Sequence, residues 1–505
     1  MVSDNKISND PPKHKINSIL HLLNSNKLVE AKKEVGQQLL IYVNSSILFN
    51  ILGAILVGQN KLQEAVENYN MSIKINPNYF QAYNNLGACF YKLYKFNEAI
   101  EVYQKAIKIQ SNNPDIHNNI GALFTELKEY NKSIIYFEKA IEIQSNHQDA
   151  HYNLGIAFKQ LANSQKAMNI FKKVIKINPK HASAHYNLGL VFYELGDLQN
   201  AKNCFEKTIE IDPRHANANN NLGIVFNELG EIKKAINFFR KTIEIQPNYS
   251  NAYWCLHSFA GNIDEALKIL IKAHNIEKEF LKAEIMISAL KGYKGDFGDF
   301  NRLNKSTNSS HPYMRSIKWV FSLPKLPEIF FNQWSFFDSI VSLTNKERPF
   351  YEFGVRNGIS FKYLIGKFSK GFGFDTFTGL PESWGKMPKG GYSTFGSVPK
   401  IVGGKFIVGE FKNTLPKFFS SNRPFASLIN FDADLYSSTL CALNYSKKII
   451  DEKTILIFDE FLMNEKWEND EYKALNEFCD IFNMSYEVLA VSFFSKQIAI
   501  KLKKV

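Results

Sequence analysis

Residues 350–360 read Phe-Tyr-Glu-Phe-Gly-Val-Arg-Asn-Gly-Ile-Ser. An apolar, aromatic run carrying one acid, Glu352, meets Gly354, Gly358 and Ser360, and a helical pattern follows over 361–368. The spacing predicts a strand that stops at a glycine turn and feeds a helix. Glycine lets a ligand approach the backbone, and a helix start offers free N–H groups. Two glycines after a strand are common in α/β connections, so the flanking segments decide the fold.

Downstream, apolar runs alternate with helical stretches. Strands are expected at 350–354, 371–375, 405–409, 427–432, 454–458, 485–491 and 497–502. Five strand–helix alternations and a closing hairpin describe an open, mostly parallel sheet with ligands at the carboxyl ends of its strands. The polar clusters fall at such ends. Asp375 stands 21 residues after Gly354, placed to accept both hydroxyls of a ribose. Gly409 follows the third run, Asn430-Phe431-Asp432-Ala433-Asp434 ends the fourth, and Asp459-Glu460 ends the fifth. Gathering Asp432, Asp434, Asp459 and Glu460 is costly unless a cation or a titrating role compensates. An all-oxygen set favours a hard ion such as Mg2+; solvated loop acids are the plain alternative. Asp432 and Asp434 flank Ala433, so they converge only if the strand has already turned into its loop. A dinucleotide-dependent dehydrogenase also places an acid after its second strand, but it carries G-x-G-x-x-G where this chain has G-x-x-x-G.

Together, 352–360, 373–382 (Gly-Phe-Asp-Thr-Phe-Thr-Gly-Leu-Pro-Glu), 432–439 (Asp-Ala-Asp-Leu-Tyr-Ser-Ser-Thr) and Asp459-Glu460 resemble the class I S-adenosylmethionine-dependent methyltransferases. The closer likeness is to the macrocin O-methyltransferase type, which methylates sugar hydroxyls with help from a divalent ion. The resemblance implies a Rossmann-like α/β fold over 346–505. It implies cofactor contacts from Glu352, Gly354, Gly358, Ser360 and Asp375, with Gly409 at the same edge. It further implies metal ligands at Asp432, Asp459 and Glu460, and a general base at Asp434. Glu460 departs from the family, which usually has a second aspartate there.

The N-terminal half repeats. Gly53, Gly87, Gly121, Gly155, Gly189 and Gly223 are each 34 residues apart. Twelve residues after each comes Ala65, Ala99, Ser133, Ala167, Ala201 or Ala235, and sixteen after it Tyr69, Tyr103, Phe137, Phe171, Phe205 or Phe239. Small residues where helices cross, with aromatics wedged between neighbours, describe stacked helical hairpins. The pattern resembles the tetratricopeptide repeat, an α-solenoid. Degenerate copies flank it, with Ile19 and Ala31 before and a shortened first helix ending near Gly261 after. The array is expected over 12–285, behind a disordered tail at 1–11. Asn85, Asn119, Asn153, Asn187 and Asn221 sit two residues before repeat glycines. In the resembled fold this position faces the concave groove. Amides both donate and accept, which suits an extended peptide backbone; a solvated surface is the alternative.

Between the halves, 286–345 is expected to be a helical connector, with helices at 313–321 and 327–343. Its aromatics either pack the array on the second domain or lid a small-molecule site. The charge of +12 is spread over 505 residues without a dense basic block, which argues against a nucleic-acid partner. No segment is long and apolar enough to span a bilayer. Five scattered cysteines without a C-x-x-C pair fit reduced thiols and a cytoplasmic location. The expected activity is methyl transfer to a small-molecule or glycan hydroxyl, with a protein or peptide in the repeat groove. Methylation of a protein side chain, and a scaffold whose transferase fold only binds a ligand, are the competing classes.

Overall fold

The structure, a computed structural model, describes residues 9–383, 389–390, 393–394 and 396–504. The tail expected over 1–11 lies, up to residue 8, outside the described residues. The chain divides into two compact units, 1–191 and 192–505.

The first unit is helical hairpins. Lys13–Asn24 pairs with Leu28–Leu39, Ser46–Gly58 with Leu62–Ile75, Phe80–Lys92 with Phe96–Ile109, Pro114–Glu126 with Tyr130–Ile143, and Gln148–Gln160 with Ser164–Ile177. The glycine–aromatic spacing has a direct cause. A Cβ on Gly53 or Gly121 would stand 2.5 Å, and on Gly87 or Gly155 2.6 Å, from the aromatic ring sixteen residues on. Real Cβ atoms do not approach that closely, so the ring occupies the volume of the missing side chain. Ala65, Ala99 and Ala167 are fully buried at the crossings. Ser133, in the same place, satisfies its hydroxyl on the Tyr130 carbonyl at 2.7 Å. Each hairpin turns at a left-handed residue: Asn26, Asn60, Tyr94, Lys128 and Ala162 all have φ between 55° and 60°.

The second unit continues with hairpins. Ala216–Glu228 pairs with Ile232–Ile245 and the shortened Ser250–His257 with Ile263–Ile276. At the turn before the helix Leu198–Ile211 and at the turn before Ile232–Ile245 the left-handed place is taken by Gly196 and Gly230, both at φ +74. A Cβ on Gly196 would lie 1.4 Å from the Arg356 guanidinium, and one on Gly230 3.2 Å from the Trp334 ring. Glycine appears where another part of the unit packs onto the turn.

That other part is an eight-stranded sheet: β1 (Glu328–Phe330), β2 (Phe350–Phe353), β3 (Gly371–Asp375), β4 (Gly404–Val408), β5 (Leu428–Phe431), β6 (Ile455–Phe458), β7 (Met484–Ser492) and β8 (Gln497–Lys504). The order is β1-β7-β8-β6-β5-β2-β3-β4, parallel throughout except that β8 runs antiparallel to both neighbours. The central strands β2, β5 and β6 are buried at every residue, which is why they read as unbroken apolar runs. Phe374, Phe353, Phe431 and Phe458 stand in register on β3, β2, β5 and β6. Their rings stack in a row at centroid spacings of 4.7, 5.4 and 4.9 Å.

The connector departs from expectation at one point. Residues 328–330, expected within a helix, form β1 beside β7, and the helix is confined to Gln333–Ser342. Asn332, two residues past the strand, caps that helix by accepting from the Trp334 and Ser335 N–H groups at 3.0 and 2.9 Å. The connector also ties the sheet to the repeats of this unit: Trp334 Nε1 donates to the Asn227 carbonyl at 3.1 Å, and Asn332 Nδ2 to that of Ser258 at 2.8 Å.

Two substitutions of the same type are expected to act oppositely. Helix propensity favours Gly→Ala by about 1 kcal/mol, and nothing lies within 4 Å of a Cβ on Gly36. Gly36→Ala should therefore raise the helical melting temperature. Gly121→Ala, driven into the buried Phe137 ring, should lower stability by about 1–3 kcal/mol, and adding Phe137→Leu should recover part of the loss. Thermal denaturation followed by far-ultraviolet circular dichroism checks all three.

Candidate active site

The four stacked phenylalanines are the last or next-to-last residues of their strands. Gly354, Asp375, Asp432 and Asp459 follow them directly and emerge at one level. All four line a single cavity of about 810 Å³, inside the usual range for ligand pockets. It sits at the carboxyl ends of the strands, beside the β2–β5 junction where the strand order reverses.

Gly354 has φ +95, and a Cβ there would stand 1.7 Å from the Asp432 carbonyl oxygen, so only glycine lets the two loops touch. Two residues on, Arg356 is left-handed at φ +49. Its N–H donates to Asp375 Oδ2 at 2.7 Å, while Asp375 Oδ1 accepts from the Phe377 N–H, also at 2.7 Å. Asp375 thus fixes the glycine loop against its own turn. Each carboxylate oxygen keeps a further lone pair. Asn357 Nδ2 donates to the Gly196 carbonyl at 3.1 Å, so a repeat turn buttresses the same loop.

Glu352 lies behind the wall, fully buried, and accepts from Ser360 Oγ at 2.7 Å. Asn430 faces it in register on β5, and its side-chain amide helps hold the carboxyl down. Burial pushes the Glu352 carboxyl up to about 8, with Asp459 adding to the rise and the Ser360 hydrogen bond opposing it. Among the expected cofactor contacts, Gly354, Ser360 and Asp375 are on the cavity wall. Glu352, Gly358 and Gly409 are not. Gly358 caps the following helix Ile359–Ile365 at φ +69, and Gly409 at φ +135 donates to the Asp375 carbonyl at 2.9 Å.

The acids at β5 and β6 converge on the same wall: Asp432, Asp434, Asp459 and Glu460 all line the cavity. Alternation does not separate Asp432 from Asp434, because β5 ends at Phe431 and Asp434 has turned left-handed at φ +59. Burial raises the Asp432, Asp434 and Asp459 carboxyls well above the usual range, and repulsion adds to it, from Asp459 and Asp434 on Asp432 and from Glu460 on the other two. Arg356 and Lys496 pull Asp434 back down, and Lys496 does the same for Asp459.

Two members of this cluster escape a reading of the sequence. Glu471, the first residue of the helix Glu471–Phe482, is fully buried, and its Oε2 accepts the Glu460 N–H at 3.2 Å. Lys496, in the β7–β8 turn, places its ammonium 2.8 and 3.1 Å from the Glu460 oxygens. Glu460 also accepts from Asn464 Nδ2 at 2.6 Å, and Asp459 from the Gln497 side-chain amide. Two of the three expected ligands, Asp459 and Glu460, are thus engaged by neighbouring side chains. Among the described residues no three His, Cys, Asp or Glu side chains are grouped to hold a metal ion. The repeats of this unit add Leu198, Asn227 and Glu228 to the wall, and the Tyr193 hydroxyl donates to Glu228.

The asparagine ladder has a different setting. Asn85, Asn119 and Asn153 each donate to an asparagine 35 residues earlier, at 2.9, 3.5 and 3.0 Å. Asn187 donates to the Tyr152 hydroxyl at 3.1 Å. These four amides of the first unit are used to stitch each hairpin to the one before. Asn221 belongs to the second unit and is half-buried.

Family models described as TPR or tetratricopeptide repeat match residues 53–94, 90–128, 114–147, 148–181 and 180–248. Residues 53–248 are thus a tetratricopeptide-repeat array. No curated protein matches the chain. Similar solved structures include YrrB, described as a TPR protein with an unusual peptide-binding site, at 22% identity over 36% of this chain and 95% of that one, TM-score 0.31. MamA from Desulfovibrio magneticus aligns at 21% identity over 34% and 96% of the two chains, TM-score 0.32. PilF of Pseudomonas aeruginosa aligns at 19% over 43% and 97%, TM-score 0.39.

The Glu352 carboxyl gives the site a pH signature. A folded-state value of about 8 against the ordinary 4.5 means the folded chain holds this proton longer, so stability is lost as pH rises from about 4.5 to about 8. Glu352→Gln removes that loss. Its stability relative to wild type should rise across this window by on the order of a few kcal/mol. Thermal unfolding followed by tryptophan fluorescence at several pH values reads the difference, and a pH-independent gap would contradict a protonated Glu352.

Proposed function

We propose that the α/β part of the chain is an S-adenosylmethionine-dependent O-methyltransferase acting on a hydroxyl of a sugar or glycan-like small molecule. The observation that carries this reading is the convergence of the Gly354 loop, Asp375 and Asp434 on one cavity at the strand-order reversal. Its volume accommodates a nucleoside cofactor and a small acceptor together. The dehydrogenase alternative is disfavoured by the sheet itself, since an all-parallel dinucleotide fold has no antiparallel strand beside its fifth, the place β8 takes next to β6.

In this reading Asp375 accepts ribose hydroxyls with the lone pairs its backbone contacts leave over. Ser360 and the Gly354 backbone line the cofactor's path. When bound, S-adenosylmethionine would supply a sulfonium methyl to the acceptor oxygen and would leave as the neutral thioether. Asp434 takes the hydroxyl proton. Its raised carboxyl suits a base that has to hold that proton near neutral pH. The walls of the cavity hold the two reactants in line, which supplies much of the rate.

The repeat array is a module for binding a protein or peptide, and a polypeptide held there could itself be the acceptor. The five cysteines remain free, four of them buried, which accords with a reducing compartment. Among the described residues no helix is long and apolar enough to cross a membrane.

Calorimetry on the full chain should show S-adenosylmethionine or its demethylated product binding. Asp375→Ala should weaken it by about 1.5–3 kcal/mol, the range for a hydrogen bond to a charged group. Preferential binding of a nicotinamide dinucleotide would end the methyltransferase reading. Asp434→Asn should leave cofactor affinity unchanged and abolish methyl transfer, measured with labelled cofactor on small-molecule and protein extracts; labelling of protein alone would favour a side-chain acceptor.

The ladder has its own test. Replacing Asn119, Asn153 and Asn187 together by Ala should lower the melting temperature of the array, since each inter-repeat bond is worth about 0.5–1.5 kcal/mol. Lost partner capture at an unchanged melting temperature would instead return these amides to the groove.

A further inference from the structure

The carboxylate cluster at the ends of β5 and β6 is where the sequence-based expectation of a divalent ion meets a different arrangement. Divalent ions of the hard type need several oxygen ligands free to turn toward them. Glu460 is not free. Its two oxygens close on the Lys496 ammonium at 2.8 and 3.1 Å, and Asn464 adds a third hydrogen bond. Asp459 is held by Gln497, the next residue along. One turn therefore delivers both donors. It can do so because β8 enters the sheet beside β6, with Ile498 in register against Phe458.

The turn is built for this placement. Lys496 is held at φ +64, a conformation in which a non-glycine residue persists only when its surroundings fix it. Its carbonyl is fixed by the Leu462 N–H at 3.2 Å. The Glu460 and Lys496 side chains are only 22% and 32% exposed, so water screens the pair little. Lys496 also lines the cavity, beside Asp434 and Asp459.

The geometry points to Lys496 as a built-in cation that takes the place of the divalent ion, so that the proposed methyl transfer proceeds without one. This rests on the methyltransferase reading for its chemistry, but not for its test. The bonds broken and formed are those already given, with the hydroxyl proton going to Asp434. Lys496 donates hydrogen bonds and keeps its own proton throughout. Its charge balances Glu460 and favours negative charge developing on an acceptor oxygen in the cavity.

Manganese titration of the full chain, read by electron paramagnetic resonance of the free ion, tests the assignment. Wild type should bind Mn2+ only weakly. Lys496→Met removes the ammonium and frees Glu460, and should tighten Mn2+ binding by about tenfold or more. Adding Glu460→Gln should abolish that gain. Lys496→Arg keeps the charge and should stay as weak as wild type, which guards against a Lys496→Met chain that fails to fold, as judged by circular dichroism. Tight Mn2+ binding by wild type, or no gain in a folded Lys496→Met chain, would overturn the proposal. Calorimetry with S-adenosylmethionine on the same samples separates the two readings: cofactor binding with a failed manganese result removes only the built-in cation.

Discussion

The row of four stacked phenylalanines is the constraint on which the site depends. Phe374, Phe353, Phe431 and Phe458 belong to four different strands, yet the planes of neighbouring rings differ by only 13° to 19°. A one-residue slip of any strand would turn its ring to the opposite face of the sheet and break the row. The register that keeps the rings stacked also fixes which residue leaves each strand next. That is how a glycine and three aspartates reach one rim from segments more than a hundred residues apart. Burial of the rings and placement of the acids are one geometric fact.

The rim is electrostatically crowded. Six carboxyls, Glu352, Asp432, Asp434, Asp459, Glu460 and Glu471, act on one another, with Arg356 and Lys496 as the opposing cations. Burial and repulsion favour the neutral forms of Glu352, Asp432, Asp434, Asp459 and Glu471, and the cations work the other way on Asp434 and Asp459. Backbone strain gathers in the same place. Arg356, Asp434 and Lys496 are all left-handed and all line the cavity. Strained residues persist where the surroundings over-determine them, as at sites of function. Here the surroundings are the rigid strand ends.

The repeats were legible because their spacing is enforced by contact: Gly121 and Phe137 fill one volume, so neither varies freely. The central strands were legible because full burial leaves apolar runs with polar residues only at the ends. What could not be read has equally physical reasons. The strand β1 is three residues long and is specified by its partner β7, not by any pattern of its own. Lys496 looks like an ordinary turn lysine until β8 is known to insert beside β6, and strand order is not a local property. Glu471 opens a helix, where an acid is unremarked, and only the approach of the β6 loop makes it part of the cluster. The asparagines were found, but their partners lie 35 residues away, so their use as stitches was invisible from spacing alone.

Gly196 and Gly230 bear on how such a chain changes over time. A repeat array ordinarily lengthens or shortens by whole units, since each unit meets only its neighbours. The turns at Asn60, Tyr94, Lys128 and Ala162 show no common residue, and that tolerance leaves their repeats exchangeable. The two repeats that turn at Gly196 and Gly230 are not exchangeable, because any other side chain there meets Arg356 or Trp334. Duplication or loss of repeats is thus tolerated at the first set of turns and resisted at the second. The loop that carries Arg356 thereby keeps the Gly196 turn beside it, and Trp334 keeps the turn at Gly230.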